Sequence, residues 1–153
     1  MKIRKLNVLS IAISLLGLYS CSDGDFEYSK YHSAENQQLS YDDTMSYQYN
    51  PVDTGTHQIY LSVRHTKEYE FSNIWFKIIE NDTQVSRVDI PLFDKAGTPL
   101  GKVSGAMITR TILWRDFNAV EQDSVILDIV QNMRKNPLGN ISEVGVIILK
   151  EGK

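Results

Sequence analysis

Carboxylates are the strongest candidates for catalytic residues in this chain. Two carboxylates that converge on a groove can divide acid and base work between them, as in glycoside hydrolysis. Acids in polar stretches are far more often surface charge, and we favour that interpretation here. The acids concerned are Asp42, Asp43, Glu68, Glu70, Asp89 and Asp94.

Other catalytic signatures are missing from the sequence. His32, His57 and His65 form no H-E-x-x-H arrangement, and the single Cys has no second Cys with which to build a zinc site. Ser104 lies outside any G-x-S-x-G elbow, and neither glycine-rich phosphate-binding motif occurs. We therefore expect no enzyme activity, no metal site and no cofactor.

Aromatic side chains are the other candidate feature, because several of them together could stack against a sugar or a peptide. Most fall within alternating stretches, which favours a place in the core. A surface platform that binds glycan or peptide stays open as the alternative. The residues are Tyr41, Tyr47, Tyr49, Tyr60, Tyr69, Trp75 and Trp114.

The first twenty residues predict export. Three cations, Lys2, Arg4 and Lys5, precede an apolar run over residues 6–18 that is too short to cross a ~30 Å hydrocarbon core comfortably. Residues 18–21 read L-Y-S-C and resemble a bacterial lipobox, although Tyr19 replaces the usual small residue. We expect cleavage between Ser20 and Cys21 and lipidation of Cys21. A cleaved secretory peptide or a short membrane anchor is the alternative.

Lipidation would attach the protein to a bilayer through Cys21, since each buried CH₂ of an acyl chain contributes about 0.8 kcal/mol. The localisation that follows is the cell envelope, at the outer membrane or the periplasmic face of the inner membrane. Residues 22–25, S-D-G-D, together with Glu27, resemble the surface-export signal of Bacteroidetes lipoproteins. A solvated linker explains them equally well, so surface exposure stays open.

Beyond residue 38 the hydrophobic pattern has a period of two, as strands with one buried face require. Segments rich in Asn, Asp, Gly and Pro separate these stretches and predict turns. Residues 124–133 fit helical spacing as well, and we favour a strand there because β-branched residues are dense. The alternating sets are Ile59, Leu61 and Val63; Ile74, Phe76 and Ile78; Val88, Ile90 and Leu92; Ile108, Ile112 and Trp114; and Val144, Val146 and Ile148.

These stretches predict an all-β protein, an antiparallel sandwich of about seven or eight strands with a jelly-roll or immunoglobulin-like arrangement. The 153 residues suit a single domain, and 42% hydrophobic residues with a net charge of −3 exclude a disordered chain. No basic excess suggests nucleic acid as a partner. We divide the chain into a lipoprotein signal (1–20), a lipidated tether (21–38) and the sandwich domain (39–153).

Three stretches resemble those of a known family, the gliding-motility lipoproteins of the GldH type found in Bacteroidetes. The first motif (residues 64–74) contains R-x-T followed by Y-x-F-S-N, the second motif (94–101) reads D-x-x-G-x-x-L-G, and the third motif (131–136) begins Q-x-M-R. Their order and spacing extend over most of the chain. The candidate residues that they supply are Arg64, Tyr69, Phe71, Asn73, Asp94, Gly97, Gly101 and Arg134.

The resemblance implies a lipid-anchored scaffold or assembly component associated with gliding motility and the type IX secretion machinery. It implies other envelope proteins of that machinery as partners, and it supplies no catalytic residues. The motif residues could shape turns and pair charges, or they could form a rim that binds a partner, and both roles remain open at this point.

Overall fold

The computed structural model describes residues 26–120 and 124–151. The predicted signal, its cleavage site at Ser20 and Cys21, and the lipidated Cys21 itself lie outside these residues. No helix in the described ranges has the length and apolarity that crossing a membrane would require.

The described chain folds into β-strands and one 3₁₀ turn (Glu35–Gln37). In chain order the strands are β1 (Phe26–Ser33), β2 (Gln38–Leu39), β3 (Met45–Tyr49), β4 (Gly55–Thr66), β5 (Asn73–Glu80), β6 (Gln84–Pro91), β7 (Lys102–Ser104), β8 (Met107–Ala119), β9 (Val125–Gln131), β10 (Leu138–Gly139) and β11 (Ile141–Lys150).

Two antiparallel sheets make up the sandwich. The larger has the strand order β1-β11-β4-β8-β7, the smaller has the order β3-β9-β5-β6, and β10 pairs with β2 in a separate short ladder. This arrangement confirms the predicted antiparallel β-sandwich. The two main sheets hold nine strands within the described residues, more than the sequence pattern predicts, because the edge strands β1 and β7 carry few buried apolar residues.

The core lies between the sheets and contains most of the predicted alternating positions, while Val88, Ile112 and Trp114 are partly buried against it. Ile59 and Val63 of β4 and Ile74 and Ile78 of β5 have no exposed surface. Residues 125–131 form β9 with strictly alternating burial, so the strand interpretation of this segment is correct and the helical one is not. Burial on one face of each strand provides most of the stabilising free energy of such a sandwich.

The structure adds a strand within the segment that the sequence predicts as a tether. Phe26–Ser33 forms β1 and pairs with β11 over seven register positions. At its start, Glu27 Oε2 accepts hydrogen bonds from Tyr49 Oη at 2.7 Å and from His57 Nε2 at 2.9 Å. The sheet therefore extends to Phe26, and the predicted boundary between tether and domain at residue 38 falls inside the fold.

The strands run between two ends of the sandwich. The proximal end is where β1 begins, and Phe26 pairs there with Leu149 while Gly55 pairs with Ala119. The distal end is formed by the segments 67–72, 92–101 and 132–140, which follow β4, β6 and β9. β4 has twelve residues, so the two ends are about 35 Å apart at the usual rise per residue.

Candidate functional site at the distal end

A surface cleft of about 600 Å³ opens at the distal end beside the smaller sheet. Its walls come from the loop between β4 and β5, from β5 and β6, and from the segment after β9. We call it the distal cleft. It is lined by Phe71, Asn73, Trp75, Arg87, Asn132, Met133 and Arg134.

The first motif shapes one wall through the buried Tyr69. Its hydroxyl donates a hydrogen bond to the Asn73 carbonyl at 3.0 Å, and its ring meets Phe71 edge-on with centroids 5.8 Å apart. Burial raises the pKa of Tyr69, so the hydroxyl remains a donor. Asn73 Nδ2 in turn donates to Asp89 Oδ1 at 2.6 Å. The Y-x-F-S-N sequence thus fixes the loop that presents Phe71 and Asn73.

The third motif shapes the opposite wall through Gln131, of which only 2% is exposed. Its Oε1 accepts a hydrogen bond from the Met133 amide at 2.9 Å, and its Nε2 donates to the Lys135 carbonyl at 3.2 Å. Tyr41 adds a hydroxyl bond to the Met133 carbonyl at 2.6 Å. The buried side chain of Gln131 therefore helps to hold the segment that carries Arg134.

The two motifs, some sixty positions apart in sequence, meet at Trp75. The Asn132 amide donates to the Trp75 carbonyl at 2.8 Å, and the Trp75 amide approaches Met133 Sδ at 3.2 Å. The side chain of Trp75 points away from the core and is 38% exposed. An aromatic surface therefore lies in the cleft between the two walls.

The charge in the distal cleft is positive. Arg87 and Arg134 are both exposed, and within the described ranges neither guanidinium has an ion pair or a hydrogen bond. The nearby carboxylate, Asp89, is hydrogen-bonded to Asn73, and Lys77 lies opposite Arg87 in the register of β5 and β6. The cleft combines two unpaired guanidinium groups with an aromatic surface, which is an arrangement suited to binding rather than to bond breaking.

The second motif has a structural role in this fold. Asp94 Oδ1 accepts hydrogen bonds from the amides of Thr98 and Ala96, each at 2.8 Å, and the Thr98 amide is the main reason why the pKa of Asp94 is lowered. Gly97 has φ of +81°, which favours glycine. Gly101 lies against the backbone of Thr109, with no room for a side chain.

Arg64, the first residue of the first motif, lies outside the distal cleft. Its Nη1 pairs with Glu143 Oε2 at 2.9 Å across β4 and β11. It borders a separate depression of about 460 Å³ together with Gly101 and Lys102. The structure thus brings Phe71, Asn73 and Arg134 to one cleft, with Tyr69 packed behind them, and leaves Arg64 and the second motif beside it.

The carboxylates considered for catalysis take part in local structure. Asp43 accepts a hydrogen bond from the Ser40 amide, Asp89 accepts one from Asn73, and Glu70 pairs with Lys135 Nζ at 2.6 Å. Among the residues that the structure describes, no group of three or more His, Cys, Asp or Glu side chains could hold a metal ion.

The aromatic residues divide between core and surface. Tyr47, Tyr49 and Tyr69 are buried. Tyr60 and Trp114 are half-buried, and Trp114 packs against the core. Tyr41 and Trp75 are the most exposed of the set, at 42% and 38%. Of the two tryptophans, only Trp75 borders the distal cleft.

Sequence reasoning missed Arg87 and did not single out Gln131, Asn132 and Met133 within the third motif. A signal for Arg87 exists, because Val85, Arg87 and Asp89 alternate with the inward positions Val88 and Ile90. With a turn at residues 81–83, that alternation places Arg87 on the same outer face as Trp75. The role of Gln131 depends on the path of the loop that follows it, which no local pattern encodes.

The fold and the site together define a class of protein: a β-sandwich domain with a cationic, partly aromatic cleft at one end. The profile of the family described as GldH lipoprotein matches residues 27–148, and the chain belongs to that family. This confirms the resemblance based on the three motifs. Membership makes the protein an envelope lipoprotein in the context of gliding motility.

Solved structures with a similar arrangement include several carbohydrate-binding modules. The family 35 module of Abf62 from Cellvibrio japonicus is 17% identical, with a TM-score of 0.41 and coverage of 82% of this chain and 79% of that one. A family 35 module from Clostridium thermocellum is 12% identical, with a TM-score of 0.42 and coverage of 78% and 98%.

One of the similar structures belongs to a larger enzyme. The GH26-CBM35 β-(1,4)-mannanase of Podospora anserina is 14% identical, with a TM-score of 0.48, and the match covers 85% of this chain but only 29% of the mannanase. No curated protein matches the sequence.

Proposed function

We propose that this protein is a non-catalytic, lipid-anchored scaffold or assembly component of the gliding-motility and type IX secretion machinery. In this proposal, acylated Cys21 holds the protein on a membrane and the distal end binds other envelope proteins. One observation carries the proposal: the three family motifs lie at or next to the distal end, whereas the chain enters the sandwich from the tether at the proximal end.

This arrangement has a simple physical meaning. A tether that joins the fold at Phe26 leaves the far end of a sandwich about 35 Å long free to face away from the bilayer. Partner contact needs an accessible surface of fixed shape, and the bonds made by Tyr69 and Gln131 provide one. The residues of the motifs thus support a presentation role better than a catalytic one.

A second candidate function is the binding of glycan or peptide at a membrane surface. The observation that favours it is the exposure of Trp75 inside the distal cleft, since an aromatic side chain in a cleft is a common anchor for either ligand. Trp114 gives no such support because it is half-buried and packs against the core.

Position-specific photo-cross-linking in living cells tests the scaffold proposal. A photoreactive amino acid is placed in the full-length protein at exposed distal positions, Lys67 or Lys95, and at exposed proximal positions, Val52 or Asp82. We expect cross-links to envelope proteins from the distal positions and far fewer from the proximal ones. Cross-links confined to the proximal positions would overturn the proposal.

Two further measurements complete the test. Deleting the gene should reduce surface delivery of secreted cargo, and spreading as well in a host that glides. The Cys21→Ala variant should leave the membrane fraction, because a lipoprotein anchor requires the acylated thiol. Unchanged secretion and motility after deletion, or a variant still bound to membranes, would contradict the proposal.

A further inference from the structure

We propose that the distal cleft binds an acidic, partly apolar peptide segment of a partner protein, whose carboxylates pair with Arg87 and Arg134. The inference rests on the proposed function, because it specifies the chemistry of the partner that the distal end would bind. The charge, the hydrogen-bonding capacity and the apolar surface of the cleft all favour such a peptide.

Arg87 and Arg134 provide the positive charge of the cleft. Both guanidinium groups are exposed, and within the described parts of the chain they have no acidic partner, whereas Arg64 and Arg115 are paired with Glu143 and Glu80. A guanidinium group matches a carboxylate with two parallel hydrogen bonds, and such pairs are stronger and more directional than those of a lysine. Two unpaired arginines on one cleft therefore select a ligand with more than one carboxylate.

The side chains of the cleft also offer more hydrogen-bond donors than acceptors. Four side-chain donors of the cleft have no acceptor among the described residues: the Trp75 indole N–H, the side-chain amide of Asn132 and both guanidinium groups. The carboxylate of Asp89 already accepts from Asn73, which leaves the side-chain oxygens of Asn73 and Asn132 as the acceptors. Sugar hydroxyls both donate and accept, whereas carboxylates accept alone. A donor-rich cleft therefore favours an acidic peptide over a neutral glycan.

Apolar surface lies between the charges. Phe71 and Met133 are half-buried and Trp75 is 38% exposed, so part of each side chain faces the cleft. Met and aromatic side chains adapt well to apolar peptide residues. An extended segment in which acidic and apolar residues alternate would place both kinds of side chain within reach. The volume of about 600 Å³ lies in the range typical of binding sites.

The test measures binding of two synthetic peptides to the full-length protein in a non-ionic detergent. One peptide alternates Glu with Leu and Phe, and the other carries Gln in place of each Glu. We expect the Glu peptide to bind at least about tenfold more tightly at low salt, and the difference to shrink at about 0.5 M NaCl. Oligogalacturonate serves as a carboxylated glycan for comparison.

Four variants locate the binding site. Arg87→Gln and Arg134→Gln should each weaken binding of the Glu peptide about fivefold, since each removes one charge-assisted pair. Trp75→Ala should weaken the binding of both peptides. Lys102→Gln, which removes an exposed cation outside the cleft, is the matched control and should bind as the parent does. All these side chains are exposed, and an unchanged melting temperature will show that each variant folds.

The outcomes separate this inference from the proposed function. Equal affinity for the two peptides, or full binding by both arginine variants, would overturn the inference even if distal cross-links persist in cells. Binding of oligogalacturonate but not of the Glu peptide would show that the ligand of the cleft is a carboxylated glycan and not a peptide. Absence of distal cross-links would overturn the proposed function whatever the peptides do.

Discussion

His65 of the first motif is buried, and one of its two ring nitrogens has no partner among the described residues. Nδ1 donates to the Thr66 carbonyl at 2.8 Å, so Nε2 carries the lone pair of the neutral ring. The rings of Tyr69 and Phe93 lie 5.7 and 5.3 Å away, centroid to centroid. Burial lowers the pKa of His65 below its ordinary value of 6.5, against a smaller opposing effect of Thr66.

This depressed pKa predicts a loss of stability in acid. Below about pH 6.5 the imidazole of His65 binds a proton in the unfolded chain but stays neutral in the folded chain. The free energy of unfolding therefore falls as the pH drops from about 6.5 toward the folded-state pKa of His65. His65→Asn keeps a donor for the Thr66 carbonyl but does not titrate. Urea unfolding at pH 7.5, 6.0 and 5.0 should show a shallower fall for the variant. An identical fall would assign the effect to other groups.

We expect a Gly→Ala substitution to lower the stability of the protein by different amounts at the two glycines of the second motif. A Cβ on Gly101 would lie 2.4 Å from the Thr109 carbonyl oxygen, so the backbone must move, and Gly101→Ala should cost about 2–3 kcal/mol. Gly97 has open space but φ of +81°, and Gly97→Ala should cost only about 1 kcal/mol in backbone strain. Chemical denaturation measures both, and the reverse order would contradict the packing assigned to Gly101.

At the scale of elements, β1 is the edge strand that couples the tether to the sandwich. It completes the hydrogen-bonding edge of β11, and Glu27 satisfies the buried side chain of His57 and the hydroxyl of Tyr49. Burial, aided by the neighbouring Glu27, raises the pKa of Tyr49 and keeps its hydroxyl a donor. The strand is therefore part of the folded unit, although it buries little apolar surface.

Deleting residues 26–33 from the full chain should lower the melting temperature markedly and promote aggregation. The deletion uncovers the edge of β11 and leaves buried polar groups without Glu27. The full chain is the reference for this deletion. Thermal unfolding and light scattering measure both effects. A melting temperature equal to that of the full chain would show that β1 contributes nothing to the fold.

The sequence predicts some of these elements well and others not at all, for physical reasons. β4, β5 and β9 have one fully buried face, so their alternation is visible in residue types alone. β1 has no buried residue, and its F-E-Y-S-K-Y-H-S sequence therefore resembles a polar linker.

The distal cleft escaped prediction for another reason. Phe71, Asn73 and Arg134 were identified from sequence as candidate residues. Trp75 and Asn132, however, meet only because β5 pairs with β9, a long-range register that local patterns do not specify. Arg87 joins them through the β5 and β6 hairpin. Sequence therefore supplied most of the wall residues without showing that they share one surface.

At the scale of the whole molecule, the two ends of the domain differ. Its chain entry is at the proximal end, while its family motifs and its cleft are at or beside the distal end. Membership of the GldH lipoprotein family identifies the protein as an envelope lipoprotein. In the proposed function, this arrangement would hold the distal surface away from the anchor at Cys21.

The direction of β1 has a mechanical consequence for such a protein. β1 runs from the proximal toward the distal end, and β11 runs back beside it. Tension between a tether at Phe26 and a partner held at the distal end would slide these two strands along each other. All seven register pairs would then share the load, instead of opening one after another like a zipper. Under such tension the edge strand would be loaded in shear along its length, and not peeled from one end.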